Sequence, residues 1–128
     1  MATAGVWFAA TVALAICTAI GTASARDRTS FSGKASYYDK NYHGKVASGA
    51  QYQPELFTCA HQKLPFGTRL RVTDPKTHRS VTVTVNDRGP FTQGRILDLS
   101  LAAARALKMI ERGVIQVSAE IEPNTHAR

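Results

Sequence analysis

Two neighbouring segments of alternating polarity constrain the fold most. In residues 68–73 (TRLRVT) and 79–86 (RSVTVTVN), apolar side chains alternate with polar ones. A period of two is typical of strands that bury one face. The residues of the predicted inner face are Leu70, Val72, Val81, Val83 and Val85. The intervening residues 74–78 (DPKTH) suit a turn, so the sequence predicts a β-hairpin.

Shorter elements complete a mainly β pattern. Further strands are predicted at residues 33–38, 95–99 and 114–121. Ser100 is a suitable N-cap for one helix over residues 101–111, and Gly113 is a suitable stop beyond its end. The inward stripe of this helix comprises Leu101, Ala104, Leu107 and Ile110. Several short strands, one helix and many turns predict a small β-barrel.

The N-terminal segment differs from the rest of the chain in charge. Residues 1–25 contain none of the 16 Lys and Arg or nine Asp and Glu residues, so the formal net charge of +7 comes from the residues that follow. An apolar run at residues 8–20 precedes Ala23-Ser24-Ala25, which has the form of a signal-peptidase site. We predict a signal peptide at 1–25, with a retained anchor helix as the alternative, and a protein exported to the periplasm or cell envelope.

The remaining chain divides into a linker at 26–32, a domain at 33–121 and a polar tail at 122–128. Lipid anchoring at Cys17 is disfavoured because the bulky Ile16 precedes it. No apolar run long enough for a membrane helix follows the signal. The basic residues are scattered and an exported protein meets little nucleic acid, so the charge does not predict a nucleic-acid partner.

Two carboxylates occupy positions that suit catalysis. Asp87 follows a predicted strand and opens the turn DRGPF, and Asp98 lies near the end of another strand, just before the helix. If both face one groove, they supply the acid and the charge stabilisation that cleavage of a glycosidic bond requires. The alternative is structural: Asp87 caps its turn or pairs with Arg88, and Asp98 stabilises the helix N-terminus.

Other reactive side chains give weaker signals. His61 can orient a carboxylate or a substrate hydroxyl, or can serve as a structural hydrogen-bonding group. Cys59 suits a small apolar filler better than a nucleophile. No metal or other cofactor is predicted, because no phosphate-binding glycine loop occurs and the histidines lack ligand spacing. These histidines are His43, His61, His78 and His126.

Tyrosines cluster in the irregular first half of the domain, where they suit either a core or contact with sugar rings. They are Tyr37, Tyr38, Tyr42 and Tyr52. The predicted substrate-binding residues are Tyr37, Tyr38, Ser48, Tyr52 and Arg88.

Several motifs, in order over residues 33–121, resemble the rare lipoprotein A (RlpA) family. They are GKASYY, YHGKVASGAQY, TCAHQKLPFGTRLRVTD, RSVTVTVNDRGPF, RILDLSLAAARAL and GVIQVSAEI. The resemblance implies a six-stranded double-psi β-barrel, mainly β with one short helix, as in expansins. It also implies an endolytic lytic transglycosylase that cleaves the MurNAc-GlcNAc β-1,4 bond of peptide-poor peptidoglycan strands and leaves 1,6-anhydro ends. Asp98 is the implied acid, and divisome or other envelope proteins stay open as partners.

The sequence departs from this family at two acidic positions. Where active relatives have a Glu and an Asp before the histidine segment, this chain has Ala50 and Gln53, and only His61 of that trio remains. Glu55 is a candidate substitute because it lies two residues beyond Gln53. Two hypotheses follow: a transglycosylase that uses Asp98, or less directly Asp87 or Glu55, and a non-catalytic peptidoglycan-binding module like expansins.

Overall fold

A computed structural model describes residues 29–123 as six strands and one short helix. In chain order these are β1 (Ser30–Tyr37), β2 (Thr58–Ala60), β3 (Arg69–Thr73), β4 (Ser80–Asp87), β5 (Arg95–Leu99), α1 (Leu101–Ala106) and β6 (Ile115–Ile121). The predicted signal peptide, including Cys17, the first three residues of the predicted linker and most of the predicted tail lie outside the described residues. Within residues 29–123, no helix has the length and apolar character required to cross a bilayer.

The strands form a closed barrel in the order β1-β5-β2-β4-β3-β6. The predicted hairpin is confirmed, because β3 pairs antiparallel with β4 and places Leu70 opposite Val83 and Val72 opposite Val81. Two other pairs, β1 with β5 and β2 with β4, are parallel and join segments distant in sequence. Closure leaves no open sheet edge among these strands.

The barrel interior is filled by the inward residues of the alternating strands. Four of the five predicted hairpin residues are completely buried, and Val81 is partly buried. Each fully buried Leu or Val side chain stabilises the fold by roughly 1.5–3 kcal/mol. Other fully buried side chains are Leu97, Leu99, Leu107, Met109 and Val117. Cys59 is also completely buried in this core, as expected for an apolar filler.

The helix is shorter than predicted, ending at Ala106 instead of residue 111. Lys108 adopts a left-handed φ of 53°, and the N–H of Met109 bonds to the carbonyl of Ala104. This turn brings Met109 into the core with no exposed surface. Gly113, with φ of +74°, therefore does not end the helix but lies in the turn before β6. The predicted stripe is also only partly correct, because Ala103 is buried and Leu101 only partly so.

Two strands also differ from the prediction. β1 begins at Ser30 and so includes residues that the sequence assigned to the linker, because its N-terminal part pairs with β6 from Ser30 to Ala35. β2 contains only three residues, too few for a period of two to be visible in the sequence. It nevertheless lies between β5 and β4, the strands that carry Asp98 and Asp87.

Candidate active site

Register aligns four residues in a row across four neighbouring strands. Ser36 of β1 pairs with Asp98 of β5, Asp98 pairs with Ala60 of β2, and Ala60 pairs with Asp87 of β4. The two aspartates are therefore separated by one strand, which puts their Cα atoms at roughly 10 Å given the usual spacing of strands. Asp98 lies between the core residues Leu97 and Leu99, so its side chain leaves the opposite face. The two predicted carboxylates therefore lie one strand apart and both near Tyr38, and we call the surface between them the groove.

Asp98 is held through one of its two carboxylate oxygens. Oδ1 accepts a hydrogen bond from the Ser36 hydroxyl. It also accepts one from Nη2 of Arg95 at 2.8 Å, and this contact is an ion pair. The side chain is 18% exposed. Neither contact uses Oδ2, which is the oxygen available to a ligand. Asp98 does not cap α1, because the Oγ atom of Ser100 accepts from the N–H of Ala103 in that role.

Both oxygens of Asp87 are occupied by hydrogen-bond donors. Oδ1 accepts from the backbone N–H groups of Ala47 and Arg88, each at 2.8 Å, and Oδ2 accepts from the hydroxyl of Tyr38. The bond to Ala47 fixes the loop before β2 against the end of β4, and the N–H of Ser48 adds a bond to the carbonyl of Asn86 at 3.1 Å. Asp87 therefore holds together the loop at Ala47, the turn at Arg88 and the side chain of Tyr38.

Tyr38 covers the groove beside both carboxylates. Burial and the hydrogen bond to Asp87 raise the pKa of Tyr38 far above its ordinary value, and the negative charge of Asp98 adds to this effect. The hydroxyl thus stays protonated and donates. Its ring packs against Tyr52 and Tyr42, with centroids 4.6 and 5.6 Å away. Tyr42 is 40% exposed, so this cluster presents an aromatic surface at the groove.

The other predicted tyrosines have structural contacts. The hydroxyl of Tyr37 donates to the carbonyl of Ile110 at 2.7 Å, on the other side of β1 from the Asp98 groove. Tyr52 is only 4% exposed, and its hydroxyl accepts from the N–H of Leu101 at 3.2 Å, which ties the loop to the start of α1.

The His61 ring supports a turn instead of orienting a carboxylate. Its Nδ1 atom accepts hydrogen bonds from the N–H groups of Lys63 and Leu64, both at 3.0 Å, and the ring packs edge-on against Phe31. Burial, with the positive charges of Arg88 and Lys63, lowers the pKa of His61. The ring is therefore neutral near pH 7, with its proton on Nε2. In the described part of the chain, no hydrogen bond joins this ring to Asp87 or Asp98.

Arg88 binds the same turn from the opposite side. Its Nη1 atom donates to the carbonyls of His61 and Leu64 at 3.3 and 2.8 Å, and its guanidinium lies 4.0 Å from the centre of the Phe66 ring. Ser48 is exposed on the loop that Asp87 holds. Arg88 thus supports the turn after β2, and Ser48 lies on the loop that is bonded to Asp87.

Glu55 lies apart from these groups. Its carboxylate is 78% exposed and 4.0 Å from Nη1 of Arg105 on α1. No hydrogen bond or ion pair connects it with Asp87, Asp98 or His61 within residues 29–123. The two positions that depart from the family pattern, Ala50 and Gln53, are both exposed on the loop before β2.

Ser36 and Arg95, the two partners of Asp98, were not predicted from the sequence. Arg95 lies three residues before Asp98 in the same strand, which is a visible spacing, but a strand does not ordinarily bring such residues together. Ser36 is 62 residues away, and only the parallel pairing of β1 with β5 reveals it.

The comparisons with known proteins identify the family of the chain. A family model described as lytic transglycolase matches residues 30–119. A probable endolytic peptidoglycan transglycosylase RlpA from Nostoc is 52% identical over 97 residues, covering 73% of this chain and 26% of the relative. The endolytic peptidoglycan transglycosylase RlpA of Pasteurella multocida is 48% identical over 90 residues, covering 70% and 31%. The chain thus spans about a quarter to a third of these curated relatives.

Solved structures agree in fold. An expansin from Clavibacter michiganensis is 25% identical with a TM-score of 0.61, covering 77% of this chain and 53% of that one. The Streptomyces papain inhibitor is 23% identical with a TM-score of 0.61, covering 74% and 96%. The predicted six-stranded double-psi β-barrel is confirmed. The family match covers well over half of the sequence, and the chain therefore belongs to the lytic transglycolase family.

Proposed function

We propose that this protein is an endolytic lytic transglycosylase that cleaves the MurNAc-GlcNAc β-1,4 bond of peptidoglycan strands and leaves 1,6-anhydro-MurNAc ends. The observation that carries the proposal is the Asp98 carboxylate, which is fixed through Oδ1 while Oδ2 takes part in no hydrogen bond or ion pair within residues 29–123, in a groove bordered by tyrosines. The names of the relatives, which include endolytic peptidoglycan transglycosylases, support the same reaction.

Asp98 carries both proton transfers in this proposal. In its protonated form it donates a proton to the glycosidic oxygen, and the bond between that oxygen and C1 of MurNAc breaks through an oxocarbenium-like transition state. The oxygen of the C6 hydroxyl then forms a bond to C1, and the Asp98 carboxylate accepts the hydroxyl proton. Asp98 returns to its starting form, and no water is consumed.

Asp87 acts as a positioning residue. Three donors bind its two oxygens, so it is held in place more fully than Asp98 and has less capacity left for the glycosidic bond. Instead it fixes the Tyr38 hydroxyl and the loop at Ala47, which shape the wall opposite Asp98 across β2. Ser48 and Tyr38 line this wall and suit contacts with the sugar.

His61 and Arg88 also act by position. The pair fixes the turn after β2 through hydrogen bonds to backbone groups of residues 61–64. Nε2 is the ring nitrogen of His61 left for a ligand, and in the neutral ring it donates a hydrogen bond. Glu55 is not needed in this arrangement, and its ion pair with Arg105 places it on the helix side.

We also propose that the protein works outside the cytoplasm, in the periplasm or cell envelope, where its substrate lies. The apolar run at 8–20 and the Ala23-Ser24-Ala25 sequence support export. N-terminal sequencing of protein recovered from the envelope should begin at Arg26. Recovery of an intact N-terminus would instead support a retained anchor.

The enzymatic proposal is tested by product analysis. Purified protein is incubated with peptide-free glycan strands, and new chain ends are identified by mass spectrometry, with heat-denatured protein as the control. We expect 1,6-anhydro ends that are lighter than reducing ends by one water. Reducing ends would indicate a hydrolase and overturn the mechanism. Binding to sacculi without any new ends would support the expansin-like alternative, which the relatives do not favour.

A further inference from the structure

Phe91 exposes most of an aromatic ring to solvent. The side chain is 81% exposed, whereas Leu56, the next most exposed large apolar side chain among residues 29–123, is 49% exposed. In this part of the chain, no ring contact joins Phe91 to another aromatic side chain. Transfer of such a surface from water onto a ligand is favourable, so the ring is available for binding.

The loop at residues 88–94 places Phe91 at one end of the groove. This loop joins β4, which ends at Asp87, to β5, which carries Asp98. Because β2 lies between these strands, parallel to β4 and antiparallel to β5, the loop passes beyond the C-terminal end of β2. A Cβ atom at Gly89 would be 3.7 Å from the Phe91 ring, so the ring folds back toward Asp87. Two residues span at most about 7 Å, which keeps Gly89 and the ring beside it close to Asp87.

Hydrogen bonds fix the backbone on both sides of Phe91. The carbonyl of Pro90, which is buried, accepts from Nε2 of Gln62 at 2.6 Å. The carbonyl of Thr92 accepts from the N–H of Arg95 at 3.1 Å. A fixed backbone lowers the conformational entropy that is lost on binding. The loop therefore presents the ring to a ligand in a preorganised position.

The surroundings of Phe91 suit a sugar ring better than a protein partner. A Phe side chain offers roughly 150–250 Å² of surface, whereas each partner in a stable protein complex buries about 800 Å². Arg88 precedes the ring in the loop, and the exposed polar residues Thr92 and Gln93 follow it. The apolar surface is thus small and bordered by hydrogen-bonding side chains. A pyranose ring has the complementary form, with an apolar C–H face edged by hydroxyl groups.

We propose that Phe91 stacks against one pyranose ring of the glycan strand, outside the two sugars joined by the bond that Asp98 cleaves. This inference rests on the proposed function for the identity of the strand. The ring lies near Asp87, which is separated from Asp98 by one strand, so the sugar over Phe91 differs from those held at Asp98. Phe91 therefore strengthens binding only for strands that are long enough to reach it.

The test compares two peptide-free ligands of different length, the disaccharide MurNAc-GlcNAc and an octasaccharide of the same repeat. Binding is measured by NMR titration, which also quantifies weak affinity, in a protein that carries Asp98→Asn so that the ligands are not consumed. Phe91→Ala and Phe91→Trp are each added to this background. Phe57→Ala is the matched control, because Phe57 is a 48% exposed phenylalanine that precedes the other end of β2.

We expect Phe91→Ala to weaken binding of the octasaccharide about 10-fold, as the loss of one aromatic stacking contact allows. Binding of the disaccharide should stay the same, because this ligand does not reach Phe91. Phe91→Trp should retain the affinity for the octasaccharide, since an indole offers a larger aromatic face. Phe57→Ala should bind both ligands like the background protein. The urea midpoint of Phe91→Ala should also be unchanged, because the side chain is exposed.

Three results would overturn the inference. Unchanged octasaccharide affinity in Phe91→Ala would show that the ring contacts no sugar. An equal loss for both ligands would show that Phe91 shapes the groove at Asp98 instead of binding a more distant sugar. An equal loss in Phe57→Ala would show that the apolar contact is nonspecific. Failure of the proposed function is a different result, namely no anhydro ends from the protein with its native Asp98, and the affinities still decide the role of Phe91 in that case.

Discussion

The contribution of the hydrogen bond between Tyr38 and Asp87 to the free energy of unfolding can be measured by a double-mutant cycle. Asp87→Ala removes three hydrogen bonds onto one carboxylate, two from backbone N–H groups and one from Tyr38. Water can replace part of the two backbone bonds at the groove, so they contribute about 0.5–1 kcal/mol each. The half-buried bond from Tyr38 to a charged acceptor contributes about 1.5 kcal/mol. We therefore expect Asp87→Ala to lower the free energy of unfolding by about 3 kcal/mol.

Tyr38→Phe should cost about 1.5 kcal/mol in the wild type and almost nothing once Asp87 is Ala, because the phenol then has no carboxylate to bind. The expected coupling energy is therefore about 1.5 kcal/mol. Urea unfolding at equilibrium measures all four proteins, since a domain of this size is expected to unfold in one step.

Tyr37→Phe is the matched control for this cycle. Tyr37 is the neighbouring residue and also donates through its hydroxyl, but to the carbonyl of Ile110. The decrease in the free energy of unfolding caused by Tyr37→Phe should add to that caused by Asp87→Ala within about 0.5 kcal/mol. A coupling between Tyr38 and Asp87 below about 0.5 kcal/mol, or one as large for Tyr37, would refute the proposal that Asp87 fixes Tyr38.

Three further predictions concern stability and reactivity. Arg112→Ala should lower the free energy of unfolding by about 2 kcal/mol, because Arg112 bonds to the buried carboxylate of Asp74 at 2.6 Å. Urea unfolding measures the change, and a decrease as small as that caused by Arg105→Ala would contradict the prediction. Burial lowers the pKa of His61, so the unfolded chain takes up a proton more readily than the folded chain, and the free energy of unfolding should fall as the pH decreases below about 6.5. His61→Gln should make this fall less steep, and identical pH dependence in the two proteins would contradict the lowered pKa of His61. Burial raises the pKa of Cys59 to about 12, so in a Cys17→Ala background the native thiol should resist a disulfide reagent that reacts rapidly after denaturation, and equal rates would exclude its burial.

The sequence was sufficient to predict the local elements with a clear period. The hairpin of β3 and β4 follows from alternation, because side chains on one face of a strand must share the same environment. The helix was overestimated because Leu107 and Ile110 retain helical spacing, although the chain turns at Lys108 to bury Met109. β2 has three residues and leaves no periodic signal, so it was found only in the structure.

The candidate site depended more strongly on pairing between distant segments. Asp87 and Asp98 could be selected because each lies at or near the end of a strand, but their different surroundings could not be predicted. Ser36 and Asp98 meet through parallel pairing of β1 with β5. Tyr38 donates to Asp87, although the two residues are 49 positions apart in the sequence. No local pattern records these contacts, since the closure of the barrel creates them.

The proposal that Asp98 performs the chemistry is tested most directly by comparing Asp98→Asn with Asp87→Asn. The measurement is the initial rate of 1,6-anhydro end formation from peptide-free strands, with circular dichroism to verify folding of each variant. Asp98→Asn should lower the rate by about 100-fold or more, because the amide cannot donate and regain the proton. Asp87→Asn should retain a larger rate, because its amide oxygen can still accept from Ala47 and Arg88. A folded Asp98→Asn variant that forms anhydro ends at the wild-type rate would contradict the mechanism.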